Sequence, residues 1–166
     1  MRLEVTRKSD LAVQALLELS GATARMKAPE IAANVGSTAG FVAQVLTPLV
    51  RSGWVRSDPG PKGGYSLQAD ISKLSVLSVI EAIEGPTDSG RCVVADRPCA
   101  DGGMCALHGP WLQARTQLLA ELASVTVASV PSRGGDIESF VMAPAVRGPV
   151  VDESLVGNAE LKGSAP

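Results

Sequence analysis

Aromatic residues are scarce in this 166-residue chain, at 3% of positions. With 45% hydrophobic residues overall, its core has to be built from Leu, Val, Ile and Ala. No stretch approaches the roughly 18 consecutive apolar residues of a membrane-spanning helix, so no membrane partner is expected. No Ser/His/Asp, paired-carboxylate or P-loop arrangement is present, which argues against an enzyme. Cysteine is limited to three residues and histidine to one. An odd thiol count would leave one cysteine over from any disulfide pairing and favours metal or redox chemistry.

Strong charge of either sign is also lacking, since the formal net charge is −2. The distribution is uneven, however. From Met1 to Leu67 there are eight Lys or Arg against five Asp or Glu, and from Gln68 onward seven against twelve. The N-terminal part can therefore face phosphate while the remainder stays acidic. The basic start, the Leu/Ala-rich run after it and Ala22-Thr23-Ala24 resemble a secretory signal. Asp10, Gln14 and Glu18 break that run at helical spacing, which fits an amphipathic helix and a cytoplasmic protein better.

Leu11, Ala12, Ala15, Leu16 and Leu19 form one stripe, predicting a helix over about Ser9 to Ser20, capped by Ser9 or Asp10 and followed by Gly21. After a loop, Pro29 opens a short helix to about Asn34. A third helix starts near Thr38 with Val42, Val45, Leu46 and Leu49 on its apolar side. Pro48 should bend or tighten its last turn, and Gly53 ends it. Trp54 to Ser57 and Tyr65 to Leu67 read as two strands around an Asp-Pro-Gly-Pro-Lys-Gly-Gly turn. Ser75 to Glu84 is a fourth helix. Pro110 opens a long one with Trp111, Ala114, Leu118, Leu119 and Leu122 as its apolar face. The expected fold is mostly α with a small β-hairpin wing, a winged helix-turn-helix followed by a long dimerisation helix. The boundaries are a DNA-binding domain over 1–85, a cysteine-rich loop over 86–108, the dimerisation helix over 109–130 and a flexible tail over 131–166.

If the third helix buries its apolar side, Ala39, Gly40, Ala43, Gln44 and Thr47 face outward. Small residues allow close approach to the major-groove floor, and Gln44 can pair bidentately with adenine, worth about 1–3 kcal/mol. An ordinary solvent face is the plain alternative for Gln44, and Thr38 reads first as a helix cap and second as a phosphate contact. In the wing, Arg56, Ser57, Lys62 and Gly63 are candidate backbone contacts, against a simple β-turn with a solvated lysine.

Cys92, Cys99 and Cys105, with gaps of six and five residues, fall together with His108 inside 17 residues. Three thiolates and an imidazole suit zinc, but zinc sites usually pair ligands at shorter spacing. The wider gaps suit an iron–sulfur cluster, with Gly102 and Gly103 letting amides approach its sulfides. His108 and Asp10 are both candidates for a fourth ligand. For His108 the alternative is an ordinary first-turn residue, and for Asp10 it is helix capping. A zinc-stabilised DNA-binding protein and a cluster carrier on a winged-helix scaffold stay open beside the sensor.

Met1-Arg2-Leu3, Ala12-Val13, Pro29-Glu30-Ile31-Ala32, Leu46 to Val55, Gly60 to Leu67 and the three cysteines in order together resemble the Rrf-two (BadM-type) family of winged helix-turn-helix regulators. The resemblance covers about Met1 to Val130. It implies a homodimeric transcription factor, a repressor in most readings, that binds a palindromic operator in double-stranded DNA with the third helix and the wing. It further implies an iron–sulfur cluster that controls binding. A Cys105-Ala106-Leu107-His108 segment resembles members with a [2Fe–2S] cluster on three cysteines and one histidine, the preferred type. Asp10 resembles members whose [4Fe–4S] cluster takes an aspartate from the partner subunit. Three departures stand out: Pro59 where the wing commonly has arginine, Gly40 where the recognition helix usually has a hydroxyl, and a first cysteine gap one residue longer.

Overall fold

The computed structural model describes residues 5–87, Val94 and 105–132. These belong to a compact unit over 1–136, and the second unit, 137–166, lies outside the described residues. Helix α1 (Arg7–Gly21) starts earlier than its apolar stripe predicts, because Thr6 rather than Ser9 or Asp10 is the cap. The Thr6 hydroxyl accepts the Ser9 amide at 3.3 Å, satisfying one of the helix's four orphan donors. Asp10 stands inside the first turn, its amide bonded to the Thr6 carbonyl at 3.0 Å. There its carboxylate complements the positive end of the helix.

Helix α2 (Ala28–Asn34) has Pro29 in its first turn, and Glu30 accepts the Lys27 amide at 2.6 Å. The turn that follows delivers Thr38, which caps α3 (Ala39–Arg51) by accepting from the Phe41 amide at 3.3 Å. Pro48 does not interrupt α3. It removes one donor late in the helix, and the chain continues to Arg51, where Ser52 still bonds the Pro48 carbonyl at 2.9 Å. Gly53, at φ +76°, then turns the chain into the hairpin, a conformation costly for any residue with a Cβ.

Strands β1 (Val55–Asp58) and β2 (Gly64–Leu67) pair antiparallel in the register Val55 with Leu67 and Asp58 with Gly64. The hairpin has a neighbour in the segment after α1 that the sequence pattern marks as plain loop. Met26 and Tyr65 exchange both backbone hydrogen bonds, at 3.0 and 2.8 Å, adding a one-residue third strand. Helix α4 (Val76–Glu84) is capped by Ser75, and helix α5 (His108–Ser124) follows the cysteine-rich segment.

Among the described residues, the buried hydrophobic side chains are aliphatic, drawn from α1, α2, α3, β1, α4, Val35, Leu74 and Val127, with Leu16, Ile31, Leu46 and Leu49 fully enclosed. Each such side chain contributes about 1.5–3 kcal/mol by leaving water. The expectation of a single dimerisation helix over 109–130 needs correction. Helix α5 ends at Ser124, and the chain returns as a single 3-10 turn, Val127–Ser129, whose Val127 is completely buried. Val76 N–H bonds the Val125 carbonyl at 2.9 Å and Val127 N–H the Leu74 carbonyl at 2.8 Å, so this turn packs against the start of α4. No residue of α5 is buried, and Leu112 and Leu118 are 49% and 42% exposed. The expected tail begins with Pro131 and Ser132, whose preceding turn is held where Gln14, itself buried, donates to the Pro131 carbonyl at 3.4 Å. The rest of the tail lies outside the described residues. Among the described residues, no helix is long and apolar enough to cross a membrane.

Candidate nucleic-acid interface and cysteine segment

The apolar stripe of α3 fixes what its other side presents. Val42, Val45, Leu46 and Leu49 are buried, while Gly40, Gln44 and Thr47 are exposed and Ala39 and Ala43 half-exposed. An added Cβ on Gly40 would meet nothing within 4 Å. Thr47 donates its hydroxyl to the Ala43 carbonyl at 2.9 Å, which turns that donor inward. Thr38 is exposed but acts as the cap, in line with the first of its two readings. This outer face is built mostly of small uncharged residues, with the exposed Arg51 at its C-terminal end, and can approach another surface closely.

In the wing, Arg56, Ser57 and Lys62 are exposed. Gly63 is different. It is buried, its amide bonds the Gly60 carbonyl at 2.9 Å, and a Cβ there would lie 2.0 Å from the Asp58 carbonyl oxygen. Its absence of a side chain closes the hairpin, and its amide is held within the turn. Arg25 was not anticipated. Its Nε lies 2.9 Å from Asp58 Oδ2, while Arg56 Nη2 lies 3.1 Å from Oδ1. No local signal announces this pair, because the two residues meet only once the loop after α1 pairs with β2.

Of the proposed cluster ligands, Cys92 and Cys99 lie outside the described residues. Cys105 is half-exposed, and the His108 amide bonds the Cys105 carbonyl at 3.0 Å, so one turn joins the thiol-bearing residue to the first residue of α5. Among the described residues, no three His, Cys, Asp or Glu side chains gather as a metal site. One turn into α5 from His108, the indole Nε1 of Trp111 is buried without a hydrogen-bond partner among the described residues. At the other end of the cysteine segment, Glu84 closes α4 and accepts from the Thr6 hydroxyl at 2.7 Å and from the buried Ser9 hydroxyl. The turn carrying Asp10 is therefore tied directly to the residue from which the cysteine segment departs.

The model of a protein family described as Rrf2, iron-dependent transcriptional regulator, matches residues 5–132. The HTH-type transcriptional regulator IscR of Klebsiella pneumoniae is 29% identical over 130 residues, covering 77% of this chain and 79% of the relative. Among solved structures, CymR, the global cysteine regulator of B. subtilis, superposes with a TM-score of 0.60 at 23% identity, covering 76% of this chain and 95% of that one. The IscR of T. potens gives 0.60 at 23% identity, with 76% and 84% covered. At such identity these structures speak for the fold, and they share its helices and two-stranded wing. The relatives regulate transcription, which sets this chain apart from enzymes. With its matched residues spanning both the winged helix-turn-helix and α5, the chain belongs to the Rrf2 family of transcriptional regulators.

Proposed function

We propose that this protein is a cytoplasmic homodimer that represses transcription from a palindromic operator and senses its signal through an iron–sulfur cluster on Cys92, Cys99 and Cys105. The observation that carries the DNA-binding half is the two-sidedness of α3. Val42, Val45, Leu46 and Leu49 are buried on one side, and the other side is exposed and carries Gly40, Gln44 and Thr47, with Arg51 at its C-terminal end. Gln44 reads a base edge, and Arg56, Ser57 and Lys62 contact the backbone beside it. Thr38 keeps its capping bond and presents its hydroxyl near the phosphates. Two such helices, related by a dyad, meet half-sites about 34 Å apart. The exposed Leu112 and Leu118 on α5 give the dimer its contact, with apolar surface that costs free energy while it faces water.

Three thiolates match the ligand preference of iron–sulfur clusters, and two supports come from α5. His108, a half-exposed imidazole one turn from Cys105, is available as the fourth ligand. The buried Trp111 N–H lacks an acceptor among the described residues, a loss of about 1–3 kcal/mol that a cluster sulfide or thiolate would relieve. Asp10 of the partner subunit is the other candidate, placed at the turn that Ser9 and Thr6 tie to Glu84. When bound, the cluster supplies a group whose charge and presence depend on iron and redox conditions. This chain's own residues transmit its state along two paths, Glu84 into α1 and α5 into the 3-10 turn against Leu74. We assign residues 1–85 and 125–130 to the DNA-binding domain, 86–107 to the cluster segment and 108–124 to the dimer arm.

The test is anaerobic purification followed by a visible spectrum and iron, sulfide and zinc analysis per chain. Near two irons with matching sulfide supports the His108 set, near four the Asp10 set. A colourless protein with stoichiometric zinc removes the sensing half and leaves DNA binding. Cys99→Ala should abolish the chromophore, and an unchanged spectrum would refute the ligand set. Lys62→Ala should weaken binding to all duplexes alike and make the log–log salt slope shallower by about 0.9.

A further inference from the structure

Arg25 belongs to the loop between α1 and α2, yet its backbone is fastened to the wing. The Met26–Tyr65 pair supplies two hydrogen bonds, and Gly64 is packed so closely that a Cβ there would lie 2.7 Å from the Met26 carbonyl oxygen and 3.4 Å from Arg25 Cβ. From this fixed point Arg25 Nε reaches one oxygen of Asp58 at 2.9 Å. Arg56 reaches the other oxygen with Nη2 at 3.1 Å and Nε at 3.2 Å. One carboxylate thus gathers two guanidinium groups, each on its own oxygen. The arginine side chains are 50% and 62% exposed and that of Asp58 only 21%, so the cations stand outward and the carboxylate lies beneath them.

A guanidinium carries five donors in a rigid fork, more than the contacts to Asp58 consume. Two forks set side by side over a shared anion leave a net positive charge and several aligned N–H groups toward solvent, the arrangement that takes a phosphate bidentately. Asp58 limits both the charge and the freedom of the pair. A phosphate that engages one arginine alone meets a carboxylate nearby, and one that engages both at once gains enough donors to offset that repulsion.

We propose that Arg25 and Arg56, held on Asp58, form a two-arginine clamp for one DNA backbone phosphate, and that Asp58 is a positioning residue that restricts the clamp to correctly docked duplex. This rests on the DNA-binding reading above. The clamp joins the loop before α2 to the wing as one contact surface and gives Asp58 a part in discrimination without touching a base.

The experiment measures binding of the full-length protein by fluorescence anisotropy, across a KCl series, to a random-sequence 30-base-pair duplex and to an operator selected from a random pool by the wild-type protein. Arg25→Ala, at an exposed loop position, should make the salt slope shallower by about 0.9 on both duplexes. Asp58→Asn, which adds one net positive charge, should steepen the slope by about the same amount and tighten random-duplex binding several-fold. It should also lower the ratio of operator to random affinity, and Asp58→Glu should restore that ratio. Arginine and asparagine variants are first checked for wild-type helicity and melting. An Arg25→Ala slope equal to that of the wild type overturns the clamp, as does an Asp58→Asn protein with an undiminished affinity ratio. If the wild-type protein itself binds no duplex in a salt-dependent way, the failure lies in the DNA-binding reading instead.

Discussion

Replacing Gly40 by alanine separates what α3 does for stability from what it does for DNA. Gly40 occupies the second position of α3, is exposed, and has open space around the site of a new Cβ. Its φ is not in the left-handed region, so alanine fits the native backbone without strain. An interior glycine costs a helix about 0.5–1 kcal/mol relative to alanine, chiefly through the entropy of the unfolded chain. A first-turn position gains the lower end of that range. For a described body of this size, about 0.5 kcal/mol raises the melting temperature by roughly 1–4 °C. The same methyl stands on the face assigned to the groove, where an extra group against a close surface costs about 1–3 kcal/mol. Gly40→Ala should therefore melt higher yet bind the selected operator about tenfold more weakly, with random-duplex affinity nearly unchanged. Denaturation followed by circular dichroism and anisotropy on both duplexes report the two effects. Higher stability with full operator affinity would show that this end of α3 stays clear of the bases. Lower stability would refute the conformational argument itself.

Other expectations rest on single contacts. Gly63→Ala should open the hairpin tip, since its Cβ would collide with the Asp58 carbonyl, and so weaken binding to every duplex while helical content holds. An equal affinity would mean the wing does not touch DNA. Leu16→Ala removes a fully enclosed side chain and should cost about 2–5 kcal/mol, read as a lower denaturant midpoint at constant m-value. The Asp70 carboxyl accepts from the Ser72 hydroxyl and amide, which holds it below the ordinary aspartate range. Any stability from Asp70 is thus present above the unfolded value and is lost as pH falls through the lowered folded value. Carboxyl NMR titration checks this, and a midpoint at or above the ordinary value would contradict it.

Local chemistry made most of the helices legible. Thr38 and Ser75 are side-chain caps at the residues where the apolar periods of α3 and α4 begin, and Pro29 marks the first turn of α2. The aliphatic core follows from a composition with few rings. The cap of α1 escaped because Thr6 precedes the stripe and competes with two other good caps, Ser9 and Asp10. The Met26–Tyr65 pairing, the Arg25–Asp58 ion pair and the burial of Val127 escaped for a common reason. Each joins residues far apart in the chain, and a single strand residue or a three-residue turn leaves no periodicity to detect. The break after Ser124 was hidden because Val125, Val127 and Val130 continue an apolar composition beyond the helix. The cysteine spacing points to a ligand set only as a proposal, and which fourth group would complete it depends on contacts that spacing does not encode.

The pairing of Ser75 with Thr126 has a topological meaning. The stretch from α4 to the end of α5 starts and finishes at one place on the body, with α4 itself packed into the core through Val76, Val79 and Ile80. Its two feet stand side by side, sewn by the Val76–Val125 and Val127–Leu74 backbone bonds. The part of this ring beyond Glu84 can be lengthened or shortened by evolution without reworking the core, since the entropy of closing a ring grows only slowly with its length. A change in that part therefore reaches the body through two joints, Glu84 with its bonds to Thr6 and Ser9, and residues 125–127 against Leu74 and Val76.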